Sequence, residues 1–120
     1  MNRPKIFVVP PEHVDRAWPS ISSLGILPRE PATAETRAAL LDAVRDSVAS
    51  GREELHVVVN GAGETVACFT VFENHKDHGM IVRFIAGNDA PIWLGYIMRN
   101  IFELAASRGF SYAKVASESI

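Results

Sequence analysis

The sequence predicts an α/β fold, a mixed five-stranded sheet reached in the order β-α-α-β-β-β-α-β with helices on both faces. Three observations carry this. Residues 54–87, "ELHVVVNGAGETVACFTVFENHKDHGMIVRFIAG", are rich in β-branched and aromatic residues and follow a period of two. On either side, 33–51 and 88–109 place their apolar residues at helical spacing. The runs "HVVV" and "VACFTVF" are apolar at successive positions, which suits a sheet covered on both sides. With 120 residues, 48% of them hydrophobic, the chain is expected to form one domain, 1–120.

The elements follow in order. "KIFVVP", 5–10, reads as a first strand ended by Pro10 and Pro11. In "PEHVDRAWPSISSLG", Val14, Trp18 and Ile21 sit at near-helical spacing; Pro19 is expected to kink or split this helix and Gly25 to end it. "ILPREPA" reads as a loop. The segment 33–51 is the clearest helix, with Thr33 as N-cap, Glu35 in the first turn, and Leu40, Leu41, Val44 and Val48 as its apolar stripe. Strands are expected at about 54–60, 64–74 and 79–86, with "NGAG" as a hairpin turn between the first two. In the helix over 88–109, Asp89 is a plausible N-cap and Pro91 fits the first turn. Its apolar residues exceed what one stripe holds, so the helix is central to the fold or meets a partner. A last strand, 110–117, follows; the crossover that leads to it is expected to be right-handed. Leu40, Val44, Phe69, Val71, Ile97, Ile101 and Leu104 are the expected core.

Composition removes several classes of function. The formal net charge is −2 and basic residues are interspersed with acidic ones, so no nucleic acid is expected. One cysteine, Cys68, excludes an intrachain disulfide and a cysteine-based zinc site, and suits a cytoplasmic protein. No apolar run approaches the about 18 residues of a membrane span, and the N-terminus lacks a signal-peptide pattern.

The early helix pair, the meander from Glu54, and the segment "WLGYIMRNIFELAASRGFSYAKV" together resemble the GNAT-type N-acyltransferase superfamily. Ile97, Ile101, Ala105, Gly109 and Val115 fit the family's pattern in that segment. More narrowly, Gly87 followed by Trp93 is similar to GNAT-like proteins encoded by tailed phages. The resemblance implies a single GNAT-like domain, truncated before the helix and two strands that normally complete it. It also implies a site. In the family a [Q/R]-x-x-G-x-[G/A] loop binds the acetyl-CoA pyrophosphate between the fourth strand and the following helix. Here that junction reads "FIAGNDAPIWLG", with Gly87 alone and no opening Arg or Gln. Gly87, Asn88 and Asp89 are the cofactor contacts only if acetyl-CoA binds. Asp89 puts a carboxylate where a pyrophosphate would lie, and Pro91 removes a donor. The family's general base comes from its fourth or fifth strand, yet "MIVRFIAG" holds no carboxylate, so no catalytic residue is assigned.

The remaining polar residues have quieter readings. "ENHKDH" has two His and two carboxylates in six residues, and a polar turn is preferred to a metal site. Cys68 reads as a buried thiol and His56 as a residue at an edge or on a wet face. Arg83 pairs with Glu73 or faces an anion. Trp93, Tyr112 and Lys114 are the candidate partner contacts, and a two-fold homodimer through the last strand or the long helix is expected. The expected function is that of a catalytically degenerate, phage-encoded GNAT-like protein without a cofactor. It acts by protein binding, as a virion component or an inhibitor of a host machine. The alternative is an acetyl-CoA-dependent N-acyltransferase completed by a partner chain.

Overall fold

A computed structural model describes residues 4–27, 31–88 and 90–115, with the side chains of Leu27 and of residues 90–93 outside that description. The chain forms β1 (Lys5–Val9), one 3-10 turn (Pro11–His13), α1 (Val14–Ser22), β2 (Ile26–Leu27), α2 (Ala34–Ala49), β3 (Glu54–Val59), β4 (Thr65–Asn74), β5 (Gly79–Gly87), α3 (Ala90–Ser107) and β6 (Tyr112–Val115). Strand order is β1-β3-β4-β5-β2, with β6 also on β5. β6 runs parallel to Gly79–Val82, and β2 lies antiparallel to Ile85 and Ala86. The parallel step needs a long crossover, which α3 provides.

All five expected strands are present, and helices cover both faces. On one face, Val14, Trp18 and Ile21 of α1 and Leu41, Val44 and Val48 of α2 pack on Leu55, Val57, Cys68, Phe84 and Ala86. On the other, Ile97, Ile101 and Ala105 of α3 pack on Val58, Phe69, Val71, Met80, Val82 and Ile85. Each fully buried Val, Leu, Ile, Phe or Met side chain contributes about 1.5–3 kcal/mol.

Local chemistry explains the boundaries. The Thr33 side chain accepts the Thr36 N–H at 3.0 Å and starts α2. Asn60 Oδ1 accepts the N–H groups of Ala62 and Glu64, each at 2.9 Å, and Gly63 takes φ +83°, closing the β3–β4 hairpin. Gly79 makes room for Tyr112: a Cβ there would lie 2.0 Å from the Tyr112 ring.

Several expectations need correction. A sixth strand, β2, lies in the segment read as loop; two residues paired through the backbone leave no side-chain pattern. α1 runs through Pro19 unsplit. Proline removes one hydrogen bond, the helix ends three residues later, and buried Trp18 and Ile21 hold both sides of it to the sheet. The last strand is described only to Val115, and residues 116 and 117 lie outside the described part. Leu40 and Leu104 are half-buried, while the other five expected core residues are buried. The surplus apolar residues of α3 include two exposed ones, Leu94 near the start of the helix and Phe102. Among the described residues no helix is long and apolar enough to cross a membrane.

Candidate functional site

The β5–α3 junction is where a phosphate would sit, so its N–H groups decide what it can hold. The Gly87 N–H donates to the Gly25 carbonyl at 2.8 Å, and the Asn88 N–H to the Val66 carbonyl at 3.2 Å. The Asn88 side chain is also engaged, its Oδ1 accepting the Gly25 N–H at 3.4 Å. Gly87 is needed for packing: a Cβ there would lie 3.1 Å from the Ala67 Cβ and 3.3 Å from the Val66 carbonyl oxygen. The third expected cofactor contact, Asp89, lies outside the described residues, as does its capping role. Pro91 is the second residue of α3, so the first turn does lack that donor.

A β-bulge lies just upstream. Thr70 pairs with Phe84 and Val71 with Val82, leaving Arg83 as the extra residue. Its guanidinium meets Glu53, not Glu73: Nη1 stands 3.0 Å from Glu53 Oε2. The other Glu53 oxygen accepts the Thr70 hydroxyl at 3.3 Å. Glu53 is buried, and this pair neutralises its charge. Glu73 is out of reach because it shares the α3 face with Val71, whereas Thr70 faces α1 and α2.

A second polar group lines an open cleft of about 380 Å³ at the end of β3, between β1 and β4. Glu54 is its centre. One oxygen, Oε1, accepts from His56 Nε2 at 2.6 Å and from Arg108 Nη2 at 2.8 Å. Arg108 Nη1 reaches Glu73 Oε1 at 4.0 Å, and Glu73 Oε2 stands 3.7 Å from His75 Nε2. His56 is buried and lies flat on Phe69, ring centroids 4.8 Å apart. The expectation of an edge or wet position for it fails because β3 is an inner strand and α3 covers this face. Burial pushes the His56 imidazole below its ordinary value, against the upward pull of Glu54. Burial also pushes Glu54 up, but the hydrogen bonds from Arg108 and His56 outweigh it and leave the carboxyl below its ordinary value. This network escaped sequence reading; "ELH" followed 52 residues later by a lone Arg is no motif.

The "ENHKDH" turn does not converge on a metal. Among the described residues no three His, Cys, Asp or Glu side chains form a metal-binding group. Asp77 instead accepts the Tyr112 hydroxyl at 2.7 Å. Burial pushes the Cys68 thiol up to about 12, which leaves it without nucleophilic character. Of the expected partner contacts, Tyr112 is half-buried, Lys114 is exposed with its Nζ 5.7 Å from the Tyr112 ring, and the Trp93 side chain is outside the described part.

Comparison with known proteins bears on the fold. No family model and no curated protein matches the chain. Solved structures do. A probable acetyltransferase superposes with a TM-score of 0.67 at 8% identity, over 96% of this chain and 80% of that one. A GCN5-related N-acetyltransferase from Ralstonia eutropha gives 0.60 at 15%, over 97% and 84%. A transcriptional regulator from Bacillus halodurans gives 0.57 at 15%, over 98% and 83%. The fold is that of the GNAT acetyltransferases.

Proposed function

We propose that this protein uses the GNAT fold to bind another protein and does not transfer acetyl groups. The observation that carries this is the junction after β5. The Gly87 and Asn88 N–H groups, which a pyrophosphate would need, already donate to Gly25 and Val66. An anion must therefore break two internal hydrogen bonds before it gains two, so the exchange offers little net binding. The surface reading rests on α3, where Leu94 and Phe102 are exposed. Trp93, Tyr112 and Lys114 belong to the same proposed surface. In this reading the protein needs no cofactor, metal or nucleic acid. It is phage-encoded, works in the host cytoplasm or the virion, and self-associates as a two-fold dimer. The similarity of a structure named as a transcriptional regulator fits a fold that serves more than one function.

Isothermal titration with acetyl-CoA tests the central point. Binding no tighter than about millimolar is expected, which is roughly −4 kcal/mol. Micromolar affinity would falsify the reading and favour the second one, acetyl-CoA-dependent N-acyl transfer. The acetyltransferase names of several structural neighbours support that alternative.

A further inference from the structure

β1 is an end strand of the sheet. Among the described residues it pairs with β3 alone, so its outer N–H and C=O groups are open. Phe7 and Val8 are each 51% exposed. Successive strand residues point to opposite faces, so this edge is apolar on both sides. An edge of that kind is a template for a further strand. The opposite edge differs. β6 has four described residues with Lys114 among them, and residues 116–120 lie outside the described part.

We propose that β1 receives β1 of a second copy of this chain, antiparallel, across a two-fold axis at Phe7. The order of residues in "PKIFVVP" argues for that occupant and that register. Pro4 and Pro10 stand equally far from Phe7, one at each end. Centred on Phe7, the ladder runs through Lys5–Val9 and leaves both prolines outside it. Centred on Ile6 or Val8, a ladder of the same length takes in Pro4 or Pro10, which have no N–H to give. The Phe7 register sets Phe7 against the partner's Phe7 and Val8 against the partner's Ile6. Both half-exposed side chains thus gain an apolar neighbour on their own face.

Charge agrees with this arrangement. Lys5 falls opposite the partner's Val9, so the two Lys5 residues are about 13 Å apart at a rise of roughly 3.3 Å per residue. That exceeds the screening length of about 8 Å at physiological salt. Glu12 follows the other end of β1. Antiparallel pairing therefore brings each Lys5 to the end of the partner strand that carries the partner's Glu12. A five-residue ladder is smaller than a standard interface of about 1,600 Å², so association is weak and depends on concentration. It does not depend on whether acetyl-CoA binds.

Cross-linking of the full chain tests the surface and the register together. The native Cys68 is buried and does not compete. Directly opposed antiparallel residues have Cα atoms about 4.5–5.5 Å apart, within the range that a disulfide spans. Under mild oxidation Phe7→Cys is expected to run mainly as a covalent dimer, while Lys5→Cys stays monomeric. An equal mixture of Lys5→Cys and Val9→Cys should cross-link between the two variants. Light scattering supplies a second arm. Phe7→Asp should lower the wild-type mass to that of a monomer, and Phe102→Asp should leave it unchanged. A monomeric wild type at hundreds of micromolar overturns the dimer itself. A wild-type dimer in which Phe7→Cys fails to cross-link, or Lys5→Cys cross-links as well, overturns the β1 register. Dissociation by Phe102→Asp and not by Phe7→Asp moves the contact to α3.

Discussion

Glu53 and Glu54 are adjacent in sequence and lie on opposite faces of the sheet, in very different surroundings. Glu53 is on the face that α1 and α2 cover; its side chain is 3% exposed and is tied to Arg83 and Thr70. Glu54 is on the face covered by α3 alone; its side chain is 32% exposed and shares one oxygen between His56 and Arg108. Both residues border the cleft, but only the Glu53 side chain is closed off from solvent. The same residue type thus becomes a sealed structural charge on one side and a solvent-accessible network on the other. Loss of Glu53 strands the buried Thr70 hydroxyl, whereas of the two partners of Glu54 one, Arg108, is already reached by water and one, His56, is buried.

Mutations rank the two faces. The largest loss is expected from Ile101→Ala under α3, about 4 kcal/mol of stability from transfer and cavity terms, since Ile101 is fully buried. Chemical denaturation measures it; an unchanged midpoint would mean that α3 does not seal its face. Glu53→Ala should cost about 3 kcal/mol, because it leaves the buried Thr70 hydroxyl and the half-buried Arg83 without their acceptor. Glu54→Ala should cost less, about 1 kcal/mol, since Arg108 keeps its contact with water while the buried His56 ring loses one partner. Equal losses at Glu53 and Glu54 would remove the distinction between the faces.

Acid sharpens the comparison. The His56 value is depressed in the folded protein, so the unfolded chain binds the proton more readily. The stability this contributes is present above the unfolded value, about 6.5, and is lost as pH falls through the lower folded value. Glu54, also depressed, acts with the same sign at more acidic pH. Melting temperatures should therefore fall from pH 7 to pH 5, and His56→Gln should flatten that decline. A decline of the same size in His56→Gln would assign it to other groups. The smallest effect is expected at Phe102→Ser, within about 0.5 kcal/mol, because that side chain is already 53% exposed.

Much of the fold was legible residue by residue. The Thr33 cap, the Asn60 turn and the period-two strands each depend on groups within a few positions of one another, and each appears where it was read. The helical stripes were legible to about one position. Leu40 and Leu104 share a helix side with core residues, yet sit at its margin and are half-buried. The site was less legible. The Arg83 partner is 30 residues away and the Arg108 partner 54. Arg83 was matched to the nearer Glu73 because a bulge in β5 cannot be seen in the order of its residues.

The sequence by itself determined the order of elements apart from the short β2, the expected two-sided cover of the sheet, and the lone Gly87 where a phosphate loop would have more. Spacing and turn chemistry act over a few residues, so they survive in a linear chain. Tertiary structure decided which partners the Gly87 and Asn88 N–H groups take, that His56 is buried, and that Glu53 is sealed while Glu54 is open. Those outcomes depend on which distant segments share an edge or a face, and Gly25 meets Gly87 only after the sheet has brought them together.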